Sequence, residues 1–301
     1  VYYDEKAKGI SYALAAYTLW GLLPIYWKLL NSVLPLELLS HRIVWAFVFT
    51  TMVVIVSKQW AQLKAALQDK KQALYILAAS IIIAFNWGLY IWAVNSNRIV
   101  EASLGYYINP LIVVLLGVFV FKEKLDHWTG IALLIASIGV LIKALQYGYF
   151  PWVSLSLAFS FALYGMIKKK VTASSIVGLT LETAMLLPLA AAYISFRHVG
   201  GVGAFQMGRL SVTLLLMAAG IVTAIPLLLF SSAAKRLPMS LIGFTQYISP
   251  TISLLIGVLL YHERFTFVDL IAFCIIWLAL GLFTFSQVTM HKKAKLLEQV
   301  G

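Results

Sequence analysis

Apolar residues run along this chain in long unbroken stretches, without the apolar-polar alternation of a half-buried strand. Ten stretches approach the roughly 20 residues a helix needs to cross a bilayer, at about 10–30, 37–57, 73–94, 100–121, 127–145, 150–167, 176–196, 212–233, 239–261 and 267–286. Runs such as Leu111 to Phe121 exclude a membrane β-barrel, whose strands alternate lipid-facing and lumen-facing positions. The pattern predicts an all-α, polytopic membrane protein with ten transmembrane helices. The first stretch lacks a small-residue cleavage site and reads as a helix, not a removed signal. Between the second and third stretches, Lys58 to Lys71 is polar but sets Trp60, Leu63 and Leu67 on one helical face. This segment reads as an interfacial helix, with a solvated linker as the close alternative.

A slower repeat overlies the helical pattern. Ala93, Tyr107, Ile108, Pro110, Leu115, Gly117, Val118 and Glu123 recur 140 positions later as Ala233, Tyr247, Ile248, Pro250, Leu255, Gly257, Val258 and Glu263. The duplication divides the chain into residues 8–145 and 150–290, with five helices each. An odd number per repeat places the second copy upside down in the membrane. Inverted repeats are the mark of a secondary transporter whose substrate site lies between the halves.

Composition agrees, since 62% hydrophobic and 11% charged residues do not build a water-soluble globule. The net charge of +12 suggests a nucleic-acid partner until its placement is considered. Threaded from a cytoplasmic N-terminus, the lysines and arginines concentrate in cytoplasmic segments, Lys168, Lys169 and Lys235 among them, which predicts a cell-membrane protein with both termini inside. These cations read as topology determinants, and no nucleic-acid partner is expected. Cys274 is the only cysteine, and HExxH and Walker A strings are missing, so neither a metal, nor a cofactor, nor an enzymatic activity is expected. The expected partners are the lipid bilayer and a small-molecule substrate; monomer and homodimer are both open.

Polar and ionisable residues within the spans are the candidate site, because each is costly in lipid and normally faces protein or water. Pro110 and Pro250 remove a backbone donor at matching places and predict hinges meeting near mid-membrane. Around them stand Tyr106, Tyr107 and Asn109 in one repeat and Gln246 and Tyr247 in the other, which either line a cavity or tie helices together. Asn86 and Tyr90 share one face of the third span. Lys28 and Arg42 give the cavity a positive end suited to an acidic group, with snorkelling to the interface as the rival reading of each. Glu182 either pairs with a cation across the bundle or takes up a proton. His41 is a second candidate for proton coupling, or a packed core residue. Lys28 and Arg42 lie in the first half and Glu182 in the second, without evident mates.

Specific strings then point to a family. Ala15-Ala16-Tyr17 with Trp20-Gly21, Tyr26 with Lys28, His41-Arg42, Asn86-Trp87, Trp92-Ala93-Val94-Asn95, Glu101-Ala102-Ser103-Leu104-Gly105-Tyr106 with Asn109-Pro110-Leu111, Ala158-Phe159-Ser160-Phe161, and Gln246-Tyr247-Ile248 with Pro250-Thr251 resemble the drug/metabolite transporter superfamily, EamA branch, and most closely its RarD family, named for chloramphenicol sensitivity. The resemblance covers residues 8 to 290. It implies ten helices in inverted repeats, the fifth and tenth of them peripheral, and export of small metabolites or drug-like solutes, amino-acid-like or anionic. A passive channel is the alternative, and neither reading supplies a substrate.

Overall fold

The computed structural model describes residues 2–96, 98–146, 150–206, 208, 210–262 and 266–300. Among the described residues all regular structure is helical. In chain order the helices are α1 (Tyr2–Lys28), α2 (Pro35–Val56), α3 (Trp60–Gln68), α4 (Lys70–Asn95), α5 (Ile99–Phe121), α6 (His127–Gln146), α7 (Trp152–Lys170), α8 (Ser175–Val199), α9 (Leu210–Arg236), α10 (Met239–Gln246), α11 (Ile248–Leu255) and α12 (Phe267–Val300). A π-helical segment, Ile256–Leu260, extends α11. Counting α10 through the π segment as one rod, eight rods are long and apolar enough to cross a membrane. The other two long helices, α1 and α7, are less apolar because aromatic residues, serines and lysines interrupt them. The short α3 confirms a helix between the second and third stretches.

Packing follows the sequence repeat. Helix α1 packs on α9 as α7 packs on α4, and α1 packs on α10 and α11 as α7 packs on α5, while α2 with α8, α5 with α10 and α6 with α12 form cross-repeat pairs. At the 140-residue offset α2 maps onto α8, α4 onto α9 and α6 onto α12. Even the helix ends correspond: Lys122 (φ 56°) closes α5 and its counterpart His262 (φ 52°) follows the π segment, both in the left-handed region. Glu263 lies outside the described residues. The correspondence breaks in one place. α9 packs against α7 and α8, whereas α4 makes no comparable packing with α1 or α2.

The two prolines behave differently. Helix α5 runs unbroken through Pro110, whose carbonyl abuts Gly243 of α10. Around Pro250 the helix is interrupted at Tyr247, whose amide bonds three residues back to Phe244. The Pro250 ring disfavours the carbonyl position four residues back, and the π turn downstream absorbs the register change. The carbonyl of Ser249, beside Pro250, abuts Gly21 of α1.

Polar clamps hold the ends of the bundle. Asp126 caps α6 through the amides of Trp128 (3.0 Å) and Thr129 (3.2 Å) and accepts a hydrogen bond from Ser286 of α12 at 2.7 Å. At the other end of the same pair, Lys143 of α6 bridges to Asp269 of α12. Burial raises the Asp126 pKa, but hydrogen bonds from Thr129, Ser286 and the two amides more than offset this and hold it below the usual carboxylate value. Its contribution to stability is therefore present above the unfolded-state pKa and lost as pH falls through the depressed value. Glu123 accepts hydrogen bonds from the amides of Met239 (2.6 Å) and Ser240 (2.9 Å), placing a carboxylate on the N-terminus of α10.

One crossing tolerates no added atom. A Cβ at Gly220 of α9 would stand 2.2 Å from the Trp45 backbone of α2, while Gly130 has nothing within 4 Å. Gly220→Ala is expected to destabilise the bundle by about 1–3 kcal/mol and Gly130→Ala to leave this packing undisturbed. Thermal melts of the detergent-solubilised protein compare the two.

Candidate functional site

Arg42 lies seven residues into α2, half-buried in the bundle. Its Nε donates to Thr223 Oγ1 of α9 at 2.9 Å, and its guanidinium lies 4.7 Å from the Trp27 ring of α1 and 5.4 Å from the Trp87 ring of α4. Tyr90 and Tyr106 complete the wall, close enough to Arg42 for their hydroxyls to feel its charge, with ring centroids 6.2 Å apart. The side chains come from five helices, yet Tyr106 is 56% exposed and Tyr90 39%. The group therefore lines a hollow, on the side where α4 stands away from α1 and α2. Among the described residues no carboxylate lies within 4.0 Å of Arg42. An arginine framed by aromatic faces, with no acidic partner, is arranged to receive an anion carrying an apolar or aromatic body.

Lys28 takes no part in this hollow. It is exposed, with Nζ 3.6 Å from the centroid of the Tyr261 ring. Asn86 and Asn109 are buried ties to α7: Asn86 Nδ2 donates to the Leu157 carbonyl (2.9 Å) and Ser160 Oγ (2.8 Å), and Asn109 Nδ2 to the Ala158 carbonyl (2.6 Å). Tyr107 and Tyr247 mark the α5–α10 crossing, where the Tyr247 hydroxyl donates to the Tyr107 carbonyl at 3.3 Å. Gln246 is buried and neither amide atom has a hydrogen-bond partner. His41 is buried with both ring nitrogens unpartnered and stacks on Phe205 at 5.2 Å. Phe205 belongs to the α8–α9 connection, held to α2 by Glu37, which accepts from the Ala204 amide (2.6 Å) and pairs with Arg197 (3.4 Å).

Glu182 has found its cation. Lys168 Nζ lies 2.6 Å from Glu182 Oε1, the Tyr164 hydroxyl donates to Oε2 at 2.9 Å, and both charged side chains are no more than 2% exposed. This corrects the placement of Lys168 as a solvent-facing topology determinant. Lys169 and Lys235 also turn inward, donating to the carbonyls of Leu237 and Ala173. Around the pair, Tyr17, Trp20, Phe161, Tyr164 and Phe230 interlock with centroid distances of 5.5–6.3 Å and seal this half of the bundle. A separate depression of about 370 Å³ between α4 and α7, lined by Ile81, Phe85 and Phe159, holds no charge and is not a second anion site.

Sequence reasoning missed Trp27, Thr223 and the inward turn of Lys168, and gave Tyr17 no site role. One signal was available. The offset that relates the repeats carries Arg42 onto Glu182 and Lys28 onto Lys168, so the charged positions do have mates, with the sign reversed at one of them.

Residues 7–144 match the model of the EamA-like transporter family. The chain is 49% identical to the transporter YojE of Bacillus subtilis over 97% of its own length and 98% of that protein, and 38% identical to Protein RarD of Escherichia coli over 96% and 98%. It belongs to the RarD family of EamA-like transporters. The chain is also 31% identical to the chloramphenicol-sensitive protein RarD of Pseudomonas aeruginosa, over 96% of this chain and 97% of that one. A crystal structure superposes with a TM-score of 0.71 at 17% identity, covering 92% of this chain and 97% of that one, a likeness of fold. As a RarD-family member this is a multi-pass membrane transporter.

The amide ties give a direct test of structural roles in the RarD-family bundle. Asn86→Ala and Asn109→Ala each remove buried interhelical hydrogen bonds to α7 and are expected to cost about 1–3 kcal/mol. Tyr106→Phe, in the accessible hollow, is expected to leave stability unchanged. Detergent melts of the three variants distinguish the two classes.

Proposed function

We propose that this protein is a secondary transporter that exports small organic anions or amino-acid-like solutes across the bacterial cell membrane by alternating access. Both termini are cytoplasmic, and ten spans form two inverted five-helix repeats over 8–145 and 150–290. The observation that carries the reading is Arg42: a cation without an acidic partner among the described residues, walled by Trp27, Trp87, Tyr90 and Tyr106, at the end of a hollow whose opposite half is sealed. The exchange-symmetric helix pairing supports the inverted repeats, and one half open with the other closed supports a rocking cycle. Arg42 binds the anionic group and Tyr90 and Tyr106 the body of the solute. Lys28 attracts anions at the rim, Asn86, Tyr107, Asn109 and Tyr247 fix the walls, Gln246 serves the sealed side, Pro110 and Pro250 take up the motion, and Glu182 or His41 couples protons. A passive channel, the alternative, needs a continuous polar path, and the aromatic seal interrupts one.

Purified protein in liposomes, offered amino acids, organic anions and amphenicols under imposed pH gradients, tests the reading. Saturable flux of a carboxylate-bearing solute is expected, falling about a hundredfold in Arg42→Ala and partly kept in Arg42→Lys. Unchanged flux in Arg42→Ala rejects the site, and flux that does not saturate favours a channel.

A further inference from the structure

The open hollow has a closed counterpart. At the 140-residue offset Arg42, Tyr90 and Tyr106 fall on Glu182, Phe230 and Gln246, and these three are gathered just as their mates are. Tyr164 donates to Glu182 and stacks on Phe230 at 6.1 Å, Phe230 meets Tyr17 at 6.3 Å, and the Tyr17 hydroxyl faces the Gln246 amide without reaching hydrogen-bond geometry. Where the first set is accessible, this one is buried throughout. The Tyr17 hydroxyl and both Gln246 amide atoms are buried without a hydrogen-bond partner among the described residues, an arrangement that a permanently closed core would avoid with apolar side chains.

We propose that this cluster is a second substrate station, open in turn toward the face that carries the N-terminus, which binds one small organic anion together with one proton. The proposal rests on the alternating-access reading above and adds Lys168 to the residues that hold the substrate. The Lys168–Glu182 pair is its latch. When the station opens, the anion takes Lys168 and the proton forms an O–H bond on the Glu182 carboxylate. The charge of the site is unchanged, since one ion pair replaces another and the acid becomes neutral. An anion alone would leave Glu182 as an unpaired carboxylate, and a proton alone would leave Lys168 unpaired, each costly in a desolvated site. The two ligands therefore raise each other's affinity. The Gln246 amide and Tyr17 hydroxyl gain the solute's polar groups as partners. The ionisable groups facing Glu182 are Lys168 and Tyr164 from α7 and Lys235 from α9. Helix α2 brings none between Ile43 and Val56, and Lys64, Lys70 and Lys71 of α3 and α4 are exposed.

Cysteine accessibility in the full chain tests this without knowledge of the natural solute. In a Cys274→Ser background, Gln246→Cys reports on the closed station and Tyr106→Cys on the open one. The probes are the anionic sulfonatoethyl and the cationic trimethylammonioethyl methanethiosulfonates. Relative to Tyr106→Cys, the anionic reagent is expected to label Gln246→Cys about tenfold faster near pH 5.5 than near pH 8. Adding Glu182→Gln makes the rate fast and independent of pH. Adding Lys168→Gln as well keeps the site open, removes the preference for the anionic reagent and, as a neutral amide pair, covers the case in which Glu182→Gln alone does not fold. A relative rate that is flat with pH in the parent, or a pH response that survives in both Glu182 variants, overturns the proposal. Response lost in His41→Gln and kept in Glu182→Gln assigns the proton to His41 and overturns it too. None of these readouts uses Arg42, so failure of the anion-transport reading, seen as unchanged flux in Arg42→Ala, is scored separately.

Discussion

An ionised side chain inside a membrane bundle must meet an opposite charge or reach water, and much of this structure follows from how that requirement is met. Glu182 meets it by closure. Lys168 comes within 2.6 Å, Tyr164 fills the second oxygen, and the surrounding rings exclude solvent. Arg42 meets it by openness, with a hydroxyl and two aromatic faces beside it and the Tyr90 and Tyr106 side of its wall exposed. Equivalent positions of a duplicated sequence thus solve the same electrostatic problem in opposite ways, and the difference gives the molecule one open half and one shut one.

The seal is as informative as the hollow. Aromatic side chains interlock by ring edges and faces without requiring hydrogen bonds along their planes, so they can part and re-form with little directional penalty. The exposed ends of the bundle are held differently, by carboxylates on helix N-termini and lysines on carbonyls. Those contacts are directional and fix which helix ends stay together.

Much of this was legible in the sequence. Apolar runs gave the helices, the polar segment between the second and third of them resolved into α3, and the repeat of Tyr107 and Pro110 at Tyr247 and Pro250 announced the pairing of elements across the chain. Arg42, Tyr90 and Tyr106 were selected as costly residues in spans and do come together. Lys28 illustrates the limit, since depth along a helix does not fix azimuth, and its side chain turns to Tyr261. Asn86 and Asn109 show another, because a cavity wall and a helix tie demand the same residue types. Lys168 was misplaced for a sharper reason: three consecutive lysines at a helix end look solvated, and only the three-dimensional position of Glu182 shows that the first of them is spent on an internal charge. Contacts between residues far apart in sequence, such as Arg42 with Thr223, leave no periodic trace at all.

The α6–α12 pair has a mechanical implication. It joins one helix from each half of the chain, and it is fastened at both ends, by Asp126 with Ser286 at one and Lys143 with Asp269 at the other, with Gly139 letting the two backbones approach between them. A seam pinned at two separated points resists both sliding and splaying. Under the proposed alternating access the halves turn about this line and do not drift apart along it, so displacement grows with distance from the seam and is largest on the far side of the bundle.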